Sequence, residues 1–141
     1  MSAHNLIYPM AAMVLLIVIV LISLFRSRVA AVRTGQLDKT YFRLYQGADE
    51  PETARKVSRH FTNLFEAPTL FFAACLAAMI TGVTGTLFLL LAWGYVLARV
   101  MHAVIHLGGN RLSKRIQAYF VGWVLLVAMW VTLVVANLQQ G

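Results

Sequence analysis

Arg59, Asn63 and Glu66 stand four and three residues apart, with Pro68 just behind them. On a helix each residue advances about 100°, so this spacing lines a guanidinium, an amide and a carboxylate along one face. Arg99, His102 and His106 repeat the device at i, i+3 and i+7, and Arg115 and Tyr119 lie one turn apart further on. Three polar stripes of this kind, meeting at one depth, would make a net-positive pocket with a single carboxylate. Such a pocket suits a small, mostly anionic ligand that also carries an amino group: its carboxylates meet arginines and its ammonium meets Glu66. Glu66 also supplies the counter-charge that a buried Arg99 requires, because ionisable groups inside apolar segments pair with one another.

Other chemistry fits parts of the pattern. Arginine, histidine and tyrosine near the ends of apolar runs commonly reach toward lipid headgroups, but that does not explain a carboxylate inside such a run. His102 and His106, one turn apart, can bind a divalent metal or sit beside a haem. Glu66 is the one carboxylate nearby, Cys75 is distant, and Arg99 repels cations, so no metal is expected. A proton path needs ionisable groups through the full depth of the membrane, and here they gather at one end.

The elements that must position these residues are long and apolar. The 141 residues are 60% hydrophobic and 12% charged, with mean hydropathy +0.75, against about one-quarter charged for a soluble domain. Four apolar runs, at 5–25, 61–83, 86–107 and 116–138, each approach the roughly 20 residues a helix needs to cross a bilayer. So many in so short a chain leave too little polar surface for a soluble fold. The expectation is an all-α integral membrane protein, one up-and-down four-helix bundle over residues 1–141. The first run reads as a retained span: no basic residue precedes it, its core is long, and no cleavage pattern follows.

Charge placement gives an orientation. The net charge is +7, and all twelve Lys and Arg fall within 26–59 or 99–115. By the positive-inside rule the first and third loops face the cytoplasm and both termini lie outside. Topology thus accounts for the basicity, and no nucleic-acid partner is expected. Cys75, the lone cysteine, excludes a disulfide framework and reads as packing.

Local signals set the helix ends. Helix one continues past the membrane surface into RSRVAAVRTGQL, and TGQ or QGADEP breaks it. Gly47 offers a flexible point, Asp49 a cap and Pro51 a first-turn residue, so helix two starts near Pro51 and carries Arg55, Lys56 and Arg59. TGVTG at 81–85 makes a short turn, and LGGN at 107–110 stops helix three. His4 and His60 read as solvated. The small residues of AACLAAM, 73–79, suit close approach between membrane helices.

Arg59-x-x-x-Asn63-x-x-Glu66 before Pro68, then Arg99-x-x-His102-x-x-x-His106 and Arg115, resembles the membrane-associated proteins in eicosanoid and glutathione metabolism, the MAPEG family, in a bacterial-type member. The likeness extends to the four spans, the short second loop and the arginine cluster ending helix one. It implies a homotrimer in a bacterial inner membrane, with glutathione as co-substrate held between subunits at the cytoplasmic side. Arg59, Asn63 and Glu66 match glutathione contacts; Arg99, His102 and His106 extend them along helix three. Arg26 or Arg28 matches a helix-one arginine that reaches a carboxylate. Arg115 matches the arginine that favours the thiolate, with Arg28 as second choice, and Tyr119 matches a ring beside the same site. The thiolate would attack a small lipophilic electrophile or hydroperoxide, as a transferase or peroxidase does.

The sequence also departs from the family pattern. His106 stands where a tyrosine is usual, Ile116 where prostaglandin synthase relatives have serine, and Ala67 where the leukotriene synthase relative has tyrosine. Some family members bind without catalysis, so the alternative is a non-catalytic membrane subunit or a lipid- or ligand-binding scaffold that keeps the pocket.

Overall fold

The computed structural model describes residues 3–46 and 49–140, and every regular element among them is helical. A 3-10 turn, Ala3–Leu6, leads into α1, Ile7–Arg33; the short α2 is Tyr41–Leu44. Then come α3, Glu52–Asn63, α4, Ala67–Thr81, α5, Thr86–Leu107, and α6, Leu112–Gln140. By length and composition four helical segments can cross a membrane: α1, α3 with α4, α5, and α6. At 1.5 Å per residue the 22 residues of α5 reach about 33 Å, enough for the hydrocarbon core. Short turns join α4 to α5 and α5 to α6, so these neighbours run antiparallel.

Each span keeps a narrow stripe inward and leaves its other apolar faces bare. Within the apolar run of α1 the buried residues are Pro9, Met13, Leu16, Val20 and Leu24, three or four apart, while Val14, Leu15, Val18, Ile19, Leu21 and Ile22 are exposed. A helix apolar on all sides has lipid or another helix as its solvent. The buried stripe of α6 is Ala118, Gly122, Leu126, Met129 and Leu133. Ala74, Cys75 and Ala78 of α4 are fully buried within this one chain, so these small residues of AACLAAM serve internal packing. Phe71 lies flat on Tyr95 of α5, centroids 4.7 Å apart.

The helix ends follow the local signals with two differences. TGQ is the segment that ends α1, and Gly82 and Gly108 end α4 and α5. At Gly108 a side chain is excluded, since a Cβ would lie 2.8 Å from the Val104 carbonyl oxygen. Asp49 does not cap α3, however; Pro51 occupies the N-cap position, in an extended conformation with no side-chain cap. Gly47 and the His4 side chain lie outside the described residues.

The second span is broken. The sequence reads as one helix through 61–83, but α3 stops at Asn63 and α4 starts at Ala67. Tight i to i−3 bonds, Leu64 N–H to Phe61 and Phe65 N–H to Thr62, close the first segment. Pro68 is the cause: it has no N–H to give to the Leu64 carbonyl, and its ring clashes with a helical preceding turn. At the break Glu66 has φ −87° and ψ −94°, outside helical space.

The first loop is organised by Arg28. Its Nε lies 3.6 Å from Glu50 Oε1, and Nη1 and Nη2 donate to Tyr45 Oη at 3.3 Å and Ser58 Oγ at 3.4 Å. The guanidinium also covers the rings of Phe42 and Tyr45, at 5.5 and 5.4 Å from their centroids. One side chain of α1 therefore ties α2 and α3 together. Further along the loop, Asp38 accepts bonds from the Thr40 N–H and hydroxyl, both 2.7 Å, which hold its carboxyl below the ordinary carboxylate range.

The contact between α5 and α6 is the most extensive in the bundle, and Gly122 lets it close over Arg99. A Cβ at Gly122 would meet Arg99 Cδ at 3.6 Å, an ordinary van der Waals distance. Gly122→Ala is therefore expected to be neutral or to raise stability by up to about 1 kcal/mol through helix propensity. Gly122→Leu should cost about 1–3 kcal/mol by overpacking. Thermal unfolding of both variants in one detergent checks the pair, and equal midpoints would refute the close fit.

Candidate functional site

The inward face of α3 and α4 is not the polar stripe. Val57, His60, Leu64, Ala67 and Phe71 follow one another at helical spacing, and from His60 onward each is buried. Arg59 and Asn63 are on the flank of this stripe, one exposed and one half-buried. There they face a gap, because α3 and α6 both pack on α5 and make little contact with each other.

That gap is a cavity of about 410 Å³, lined by Arg59, Thr62 and Asn63 of α3, His102 and His106 of α5, and Arg115, Ile116, Tyr119 and Phe120 of α6. Its volume falls within the roughly 300–1,000 Å³ of small-molecule sites. A second hollow of about 400 Å³ adjoins it at the basic end and shares Arg59, His106 and Arg115. Glu52, Arg55, Lys56 and Asn110 complete it, which puts four cations against one carboxylate around its rim. One end of the combined space is strongly positive, and the other is walled by Ile116, Tyr119 and Phe120.

Arg115 is held in place on this wall. Its Nη1 donates to Asn110 Oδ1 at 2.8 Å, and Asn110 adopts the left-handed conformation, φ 45°, of the α5–α6 turn. The Arg115 carbonyl oxygen lies 3.2 Å from His102 Nδ1. A carbonyl can only accept, so this bond requires the proton on Nδ1 and leaves Nε2 with a free lone pair. Tyr119 stands beside the same imidazole, centroids 5.7 Å apart.

Behind the cavity Arg99 is 1% exposed. Its Nη2 donates to the carbonyl oxygen of Asn63 at 3.0 Å, and its guanidinium carbon lies 5.9 Å from the Tyr119 ring centroid. The last carbonyls of a helix carry partial negative charge, so the broken end of α3 serves as the partner of this cation. The pairing expected between Arg99 and Glu66 is not formed within the chain. Glu66 is exposed, does not line the cavity, and makes no ion pair among the described residues. The break before Pro68 turns it off the face it would share with Arg59 on an unbroken helix.

The structure thus brings together Arg59, Asn63, His102, His106, Arg115 and Tyr119, with Arg99 directly behind. It leaves Glu66 apart, along with Arg26, exposed on α1, and Arg28, which is engaged by Glu50, Tyr45 and Ser58. Sequence reasoning misplaced His60: read as solvated, it is 0% exposed and packs on both other imidazoles. The signal was its place on the apolar stripe, four residues before Leu64.

A sequence model of the MAPEG family matches residues 6–135, nearly the whole chain. The chain belongs to the MAPEG family. With four spans of sufficient length and apolarity, this MAPEG chain is an integral membrane protein. Comparisons with curated proteins and with solved structures returned no match.

The charge of the cavity can be measured. In a Cys75→Ala background, Thr62→Cys should react faster with an anionic methanethiosulfonate than with a cationic one, and the difference should shrink as salt screens it. Native Cys75, fully buried, should not react. Equal rates for the two reagents at low salt would remove the positive cavity.

Proposed function

We propose that this MAPEG protein binds glutathione, or a related anionic thiol, in the cavity at its basic end and presents the thiolate to lipophilic compounds from the bilayer. The observation that carries the reading is the join of two unlike walls in one space. Arg59 stands on the polar side, beside Arg55 and Lys56 of the adjoining hollow, with the exposed Ile116 and Phe120 on the apolar side. A ligand with two carboxylates fits the first wall, and a compound dissolved in acyl chains reaches the second. The positive-inside rule places this end in the cytoplasm, where glutathione is available. A bacterial inner membrane and a homotrimer are the setting the family resemblance suggests. Glu66, exposed and without an in-chain ion pair, would then meet the ligand's ammonium at a subunit boundary.

The chemistry asked of the protein is modest. A free thiol has a pKa of about 8.5, and a nearby cation lowers it. Arg115, fixed by Asn110 at the cavity wall, is the group assigned that task; the thiol proton passes to water. The sulfur lone pair then forms a bond to the electrophilic carbon as the leaving group departs with its electron pair. Toward a hydroperoxide, two thiols become a disulfide while the peroxide is reduced to alcohol and water. Orientation and positive potential supply the acceleration.

Calorimetry on detergent-purified protein tests the binding, and conjugation to a generic aromatic electrophile tests the turnover. Arg59→Ala should weaken glutathione by about 1.5–3 kcal/mol, the worth of a charge-assisted hydrogen bond. Arg115→Ala should leave affinity nearly unchanged and lower the rate at neutral pH, with part of the rate regained as pH rises toward the thiol's own pKa. Unaltered binding in Glu66→Gln would discard the ammonium contact. Absence of glutathione binding would discard the reading, and binding without turnover would make the protein a binding subunit.

A further inference from the structure

Beside the cavity three imidazoles converge where the sequence suggested two. His60 of α3 meets His102 and His106 of α5, and the three are 0%, 2% and 4% exposed. The ring centroids are 5.0–5.5 Å apart. One candidate ligand nitrogen from each ring lies within 4.8 Å of the others. Both nitrogens of His60, Nε2 of His102 and Nδ1 of His106 are buried without a hydrogen-bond partner. Four orphaned nitrogens in one cluster are costly, since buried polar groups are almost always satisfied.

We propose that His60, His102 and His106 form a binding site for one divalent transition-metal ion, of the zinc or cobalt type, independent of any thiol ligand. Imidazole is the natural donor for these ions. Tetrahedral bonds of 2.0–2.1 Å put ligand nitrogens about 3.4 Å apart, so small rotations of the three rings close the cluster on an ion. The bond from His102 Nδ1 to the Arg115 carbonyl is the outer contact that ligating histidines ordinarily make. It fixes the tautomer and directs Nε2 to the metal. Two ligands one turn apart on α5 with a third from α3 give three protein ligands, which leaves a fourth position open. His102 and His106 also line the cavity, so that position is reached from it. Arg99 opposes a bare dication, and the fourth ligand is accordingly an anion, hydroxide drawn from water.

The sequence argument against a metal found no third ligand beyond Glu66 and the distant Cys75, because His60 was placed in solvent. Burial of His60 against both other imidazoles supplies that ligand.

The test uses full-length protein on a tag without histidine, stripped with chelator and titrated with cobalt(II) alone. The expected result is one ion per chain retained through gel filtration, with the intense visible bands of tetrahedral cobalt, displaced by one equivalent of zinc. His60→Asn and His106→Asn should each weaken binding by about a hundredfold or more, at least the upper end of what losing an outer-shell partner costs. His4→Asn should bind like the wild type. Should the Asn variants unfold, His60→Cys retains a ligand and should add a sulfur-to-cobalt charge-transfer band. Substoichiometric metal, weak octahedral bands, or equal affinity in wild type and His60→Asn would each overturn the site.

Discussion

One contact organises the basic end of the bundle: the Arg99 guanidinium, 1% exposed, held by the carbonyl oxygen of Asn63. A cation inside a membrane protein must find negative charge, and no carboxylate lies within ion-pair distance of this one among the described residues. What it finds is the end of a helix. That end exists because Pro68 cannot continue the hydrogen-bond ladder, so the second span terminates four residues before the proline's predecessor resumes it. The backbone break and the buried cation satisfy each other. Gly122, in van der Waals reach of the Arg99 stem, is what lets α6 close over the pair.

From this contact the cavity follows. Arg99 holds the end of α3 against α5, while α6 packs along α5 from the other side. The gap between α3 and α6 is then bounded by Arg59 and Asn63 on one wall and by Arg115 and Tyr119 on the other. With Arg99 behind and Arg55 and Lys56 at the rim, positive charge accumulates around this concave space, and its walls focus the field. An anion is the occupant such a field favours. Arg28, by contrast, is engaged in organising the first loop through Glu50, Tyr45 and Ser58.

Much of this was legible in the sequence. Length and apolarity mark the spans, glycine and asparagine mark the turns, and the site residues on α5 and α6 come together as their spacing suggests. Two readings went astray for a shared reason. Helical spacing says which residues share a face, but not which face looks inward, and a stripe through Arg59 and Asn63 was read as inward. Apolar side chains decide that question: the stripe through His60, Leu64, Ala67 and Phe71 buries more, so His60 went in and Arg59 moved to the flank. The second error was to carry the polar face past Asn63, where α3 stops. Hydropathy runs unchanged through 64–66, whereas the backbone leaves helical space at Glu66, and Glu66 left the stripe with it.

Amide hydrogen exchange at the break tests the central contact most directly. With Arg99→Met the hydrogen bond to the Asn63 carbonyl is lost, worth about 1.5–3 kcal/mol for a charged donor. Amides between Leu64 and Thr69 should then exchange about ten- to a hundredfold faster, while those between Leu126 and Leu133 in the core of α6 keep their protection. Unchanged exchange at the break, or a loss spread evenly through α5 and α6, would contradict the account.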